Sequence, residues 1–203
     1  MAKIVPPIHF GLVEDGKLNS SVKIFWLTEA APPGFYRSAQ PSELNFSFLE
    51  KLNLRSLIYV GAEEPSEILQ SFLDSQGVVL HNLAPQMSLN PHFPPPFTDG
   101  GVVPFSGQYH LPPLPPPPEP LIIHALTLLL QPATFPTLVC CNMGRHRTGT
   151  VVGCYRKLQR WALSSILEEY RRYAGMKVRI LNEQFIELFD TDLVPVVASL
   201  PQV

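Results

Sequence analysis

Hydrophobic positions fall along this chain in short blocks whose spacing switches between two periods. Ser56 to Val60 is an unbroken apolar run, apart from its first residue, closed by Gly61, and it predicts a buried strand. Val78 to Leu83 and Thr137 to Cys140 read the same way. Between them the period lengthens. Asn45 to Leu52 sets Phe46, Leu49 and Leu52 at helical spacing. Pro65 to Ser75 carries an Ile68, Leu69, Phe72, Leu73 stripe that ends at Gly77. Helices are also expected over Leu121 to Gln131 and Thr148 to Trp161. Ser165 with Glu168 forms a capping-box pattern opening a helix to Tyr173, and Asn182 stands as a cap for Glu183 to Phe189. Strands alternating with helices argue for an α/β fold: a compact domain with a central, mostly parallel sheet flanked by helices.

Two stretches break the pattern. Residues 1–35 read as irregular, with one short strand expected at Val22 to Leu27. Residues 84–120 hold Pro94-Pro95-Pro96 and Pro115 to Pro118, and are expected to form a long proline-rich loop within the domain. Leu111-Pro112-Pro113-Leu114-Pro115 is a usable ligand for SH3- or WW-type domains, and equally an ordinary linker run. At 203 residues the expectation is a single domain spanning 1–203.

The formal charge of −2 gives no bulk attraction to nucleic acid or to an anionic membrane, so any anion binding must be local. No apolar stretch has the length of a membrane span, and the first residues lack a signal-peptide core. Of the three cysteines, two are neighbours, which disfavours a disulfide framework. A reducing, cytoplasmic setting is the expectation. The histidines lack paired metal-ligand spacing, so neither a metal nor another cofactor is expected.

The chemistry concentrates after the strand Thr137 to Cys140, in Cys141-Asn142-Met143-Gly144-Arg145-His146-Arg147-Thr148-Gly149. A cysteine at the end of a strand, facing the N-terminus of the next helix, meets unpaired N–H groups and partial positive charge. These favour its thiolate and also cradle an oxyanion. Six residues on, Arg147 can fold its guanidinium over the bowl and grip two phosphoryl oxygens. Gly144 permits the inward turn, and Thr148 can donate its hydroxyl to the sulfur. Cys141 is therefore the candidate nucleophile and Arg147 the clamp. Asn142, Met143, Gly144, Arg145, His146 and Thr148 form the binding loop, with Lys177 and Arg179 as further possible contacts. A buried structural cysteine pair with solvated arginines is the bland alternative.

This run resembles the signature loop of cysteine-dependent phosphatases. Together with Tyr36 to Pro41, Asn45 to Leu49, Glu169-Tyr170-Arg171, Lys177, Arg179 and Pro6 to Gly16, it is similar to the plant and fungal atypical dual-specificity phosphatases of the Siw14/Oca-like group. The resemblance implies a phosphocysteine intermediate and action on phosphotyrosine-type esters or on the diphosphates of inositol pyrophosphates. A phosphorylated small molecule or phosphoprotein is then the partner. The sequence departs from that pattern in three places. Cys140 stands where the family has histidine. The family's compact proton-donor turn is replaced by residues 84–120, in which Asp99 is the candidate general acid. Residues 17–34 interrupt what the family joins, as a tolerated surface insertion or a retained intron. The rival readings are a phosphate-binding pseudophosphatase or scaffold and an adaptor acting through its proline arm.

Overall fold

The computed structural model describes residues 5–14, 34–87 and 116–195. Five strands form one sheet: β1 (Gly11–Glu14), β2 (Phe35–Ala39), β3 (Ser56–Tyr59), β4 (Val79–Asn82) and β5 (Thr137–Cys141), in the order β1-β2-β5-β3-β4. β5 lies between β2 and β3, parallel to both, and β4 runs parallel to β3. Only β1 is antiparallel to its neighbour. A mostly parallel sheet covered on both faces agrees with the α/β expectation. The helices are α1 (Glu43–Leu49), α2 (Glu67–Gln76), α3 (Ala84–Met87), α4 (Glu119–Leu129), α5 (His146–Leu158), α6 (Leu163–Ala174) and α7 (Ile180–Leu188).

The sheet separates two cores. On one face, Val139 and Cys141 pack with Leu121, Ile122, Leu126, Val151, Ile166 and Ile186, side chains of α4 to α7. On the other, Leu138 and Cys140 pack with Leu49, Leu57, Tyr59, Leu69 and Leu73 beneath α1 and α2. Alternation along β5 thus sends the adjacent cysteines to opposite faces, and all three cysteines are thiols.

Several boundaries differ from the sequence reading. The first 35 residues are not wholly irregular, because β1 and the start of β2 lie there. The proline-rich segment is shorter than 84–120: Ala84–Met87 is helical, and Glu119 and Pro120 already form the first turn of α4, where proline costs no hydrogen bond. Asp99, Leu111 to Pro115, Val22 to Leu27 and almost all of 17–34 lie outside the described residues. Ser165 and Glu168 form no capping box. Arg160, at φ 59°, ends the turn after α5 so sharply that α6 begins at Leu163, with Ala162 as its N-cap. Asn182 is no cap either. Arg179 holds that position, and Asn182 is buried inside α7, donating to Thr150 Oγ1 at 3.1 Å.

Candidate active site

The site sits at the C-terminal edge of the sheet, where β5 passes into α5 through Asn142 to Arg145. Cys141 is the last residue of β5 and is almost fully buried. Its carbonyl accepts Gln40 N–H at 2.8 Å and Gly144 N–H at 3.2 Å, which closes the loop into a tight turn. Gly144 has φ 66°, and a side chain there would run into the backbone of Ser38 and Ala39. Glycine is therefore required for both conformation and space.

A loop whose amides are to face inward must turn its carbonyls outward, and each needs a donor. Arg37 Nη2 donates to Gly144 O at 3.2 Å. His9 Nδ1 lies 2.9 Å from Met143 O. Gly149 N–H donates to Arg145 O at 2.9 Å, and Thr150 Oγ1 donates to His146 O at 2.9 Å. Arg37 is wholly buried. It lies 3.8 Å from Glu169 and 3.7 Å above the Tyr173 ring, and Glu169 also accepts from Arg156 Nε at 3.2 Å. Burial pulls the Arg37 pKa down to about 10, while Tyr173, Glu169 and Cys141 work in the opposite direction.

The cations expected from sequence come together. His146, the first residue of α5, has its pKa pushed down to about 4, first by burial and then by Arg179, Arg145, Arg147 and Lys177. Its Nδ1 lies 3.1 Å from Tyr170 Oη. Lys177 ends the turn Gly175–Lys177, and Arg179 caps α7, so α6 and α7 deliver both to the loop. Arg179 is pulled down by burial and by Arg147, and Tyr170 and Cys141 oppose this. Among the described residues no carboxylate forms an ion pair with Arg145, Lys177 or Arg179. Arg147 is half-buried, and its charge is felt by Tyr59, His146 and Arg179.

Asn142 and Met143 are exposed at the rim, and Asn142 Oδ1 accepts from Tyr59 Oη at 3.3 Å. Burial raises the Tyr59 phenol, and the neighbouring Cys140 and Cys141 add to this. The Thr148 hydroxyl is buried without a hydrogen-bond partner among the described residues, so the bond to sulfur expected from sequence is not formed here. Cys140 is completely buried, and burial raises its thiol well above the usual range, which keeps it protonated and apart from the loop's chemistry. Among the described residues no cluster of three or more histidines, cysteines or carboxylates is placed to hold a metal. No described helix is long and apolar enough to cross a membrane. Sequence spacing gave no sign of Tyr59, and His9, Arg37 and Glu169 entered only through the family resemblance.

Known proteins resemble this chain in sequence and in fold. The model of the tyrosine phosphatase family matches residues 27–199. OCA1 of Mycosarcoma maydis is 47% identical over 192 residues, covering 94% of this chain and 96% of that protein. The inositol diphosphatase DSP4 of Arabidopsis thaliana is 34% identical over 186 residues, 92% of this chain and 74% of that one. The crystal structure of the core catalytic domain of the PP-IP phosphatase SIW14 from S. cerevisiae superposes with a TM-score of 0.67. It is 34% identical and covers 94% of this chain and 90% of its own.

Proposed function

We propose, from the premise that this chain belongs to the tyrosine phosphatase family, that the Cys141–Arg147 loop is its reaction centre and that its substrate is the diphosphate group of a polyphosphorylated inositol. Phosphoester hydrolysis follows from the family itself. The residue roles and the substrate are the proposal. One observation carries the substrate: Arg145, Arg147, Lys177 and Arg179 converge on His146, and no carboxylate pairs with three of them. Like charges gathered in one place raise the energy of the site. A ligand with several phosphates relieves that repulsion, whereas a lone monoester relieves little of it. DSP4 and SIW14 carry inositol diphosphatase names, and the shared fold supports the same substrate class here.

In this reading the Cys141 thiolate attacks the terminal phosphorus in line. The S–P bond forms as the bond to the bridging oxygen breaks, and the electron pair leaves with that oxygen. Arg147 and the inward amides hold the three equatorial oxygens as charge spreads over them. The buried Thr148 hydroxyl gains a partner when the sulfur carries charge again. A diphosphate leaves as a stabilised phosphate anion, so the proton donor matters less than for an alkoxide. Asp99, on segment 88–115, is the candidate donor for monoesters, and the proline run at Leu111 to Pro115 is a secondary candidate for an SH3- or WW-type contact. Water then cleaves the S–P bond and releases orthophosphate.

The test is turnover of a diphosphoinositol polyphosphate beside a phosphotyrosine peptide and an aryl phosphate, with Cys141→Ser as control. The expected result is higher kcat/KM for the diphosphate and a loss of roughly 10⁴-fold or more in Cys141→Ser. Equal or better turnover of the phosphopeptide overturns the substrate. Cys141→Ser retaining activity overturns the mechanism. Phosphate binding by a wild-type protein that turns over none of the three favours the pseudophosphatase reading.

A further inference from the structure

The segment before β1 reaches across the fold to the phosphate loop and is anchored along its length. Asn45 Nδ2 donates to Val5 O at 3.2 Å, and Ala39 N–H donates to Ile8 O at 2.7 Å. The Phe10 ring stacks on Tyr36 at 5.7 Å and meets Phe48 edge-on at 4.8 Å. Between these anchors His9 takes φ 54°, the left-handed region that a residue with a Cβ rarely occupies. Such a conformation persists only where the surroundings enforce it, and it occurs most often at functional sites.

Both ring nitrogens of His9 are engaged. Nδ1 lies 2.9 Å from Met143 O, and Nε2 accepts from Arg145 Nε at 3.3 Å. A carbonyl can only accept, so Nδ1 carries the proton. Nε2 is then left as the acceptor that the Arg145 N–H requires. One neutral tautomer satisfies both contacts, and the ring bridges the loop backbone to a loop side chain two residues on. Arg145 is gripped through Nε and not through its terminal Nη fork, the part suited to an oxyanion.

We propose that His9 is a positioning residue: by holding Arg145 through Nε it aims the guanidinium fork at a second phosphoryl group of the substrate, next to the one seated over Cys141. The inference deepens the proposed function, since it assigns the grip on the second phosphate to a pair 136 residues apart in sequence. It does not require turnover. Arg145 is the residue that touches the anion, and His9 acts through it. The Met143 bond is a separate contribution of the same ring, because it keeps that carbonyl outward for any phosphate.

The test is calorimetric titration of orthophosphate and inorganic pyrophosphate into Cys141→Ser protein, which binds without turnover. The variants are His9→Gly, which tolerates the left-handed backbone, His9→Asn, Arg145→Ala and the His9→Gly/Arg145→Ala pair. The expected result is about a tenfold rise in the pyrophosphate Kd for His9→Gly and for Arg145→Ala, with orthophosphate Kd changed less than about threefold. The double variant should be about as weak as the weaker single. His9→Asn, too short to bridge to Arg145, should bind orthophosphate as the parent does and pyrophosphate as weakly as His9→Gly. Equal losses for both anions in His9→Gly would reduce His9 to a structural staple and overturn the proposal. Multiplied effects in the double variant would overturn it too. Failure of the inositol substrate in turnover would leave these titrations interpretable, so the two failures are distinguishable.

Discussion

Arginines stand on two sides of the phosphate loop, and their environments are opposite. Behind it, Arg37 is wholly buried, donates to Gly144 O, and shares Glu169 with Arg156. In front, Arg145, Arg147 and Arg179 are half-buried and Lys177 is exposed, and they face one another across His146. The rear cation has a fixed carboxylate and a fixed carbonyl, which offset part of its desolvation: burial still lowers its pKa, and Nε and Nη1 have no hydrogen-bond partner among the described residues. In front, Arg145, Lys177 and Arg179 have no carboxylate partner among the described residues, and a bound anion can offset them. The same side chain is thus a structural pin where its counter-charge is built in, and a binding group where it is left out.

The comparison breaks first at Arg37. Arg37→Met leaves Gly144 O without its donor and Glu169 with a single cation. The expected loss is about 2–4 kcal/mol of stability, with activity falling because the loop loses an anchor. Urea denaturation reads the first effect and aryl phosphate turnover the second. A variant as stable and as active as the parent would mean that the rear arginine is not a pin. Arg179→Gln should behave in the reverse way. Stability holds or rises slightly as repulsion is relieved, the KM for a diphosphoinositol polyphosphate rises about tenfold, and kcat on an aryl phosphate changes less than about threefold. An unchanged KM would remove Arg179 from the binding face.

The front of the site was easier to read in the sequence than the rear, and the reason is physical. The Thr137 to Cys140 run, Gly144 and the basic residues to Arg147 are contiguous, so strand, turn and helix start signal one another over a dozen residues. β3, α2, β4 and α4 were legible because each carries an apolar block or stripe. β2 was not. It lies beside β5 near the middle of the sheet, yet reads Phe35-Tyr36-Arg37-Ser38-Ala39, since Arg37 is buried to serve the loop and Ser38 is buried with its hydroxyl donating to Ala39 O. A buried polar residue breaks the hydrophobic pattern where function requires it. β1 and His9 are four and one residues of local signal, and their partners lie more than twenty residues away. The starts of α6 and α7 differ from the sequence pattern, in which Ser165 and Asn182 have the residue types of caps. Tertiary packing instead drew Asn182 inward to Thr150 and let Ala162 open the helix.

The mildest test of the front face is its pH response. His146 titrates at about 4 in the folded chain, against an ordinary value of about 6.5, because burial and four cations oppose a further positive charge. Between those values the unfolded chain binds a proton that the folded chain refuses, so acidification pulls towards unfolding. Stability attributable to His146 is whole above about pH 6.5 and is lost progressively as the pH falls towards 4. His81, also lowered by burial and by His124, adds to the same slope, so His146→Asn should flatten it without abolishing it. A bound phosphate reverses the cause. It cancels the field of Arg145, Arg147, Lys177 and Arg179, and the imidazole should titrate at higher pH when orthophosphate is added to Cys141→Ser protein. Nuclear magnetic resonance of the ring protons reads that midpoint directly. A midpoint near 6.5 without phosphate, or one that phosphate leaves in place, would mean that the four cations do not share one space, and the contrast between the two sides of the loop would rest on Arg37 alone.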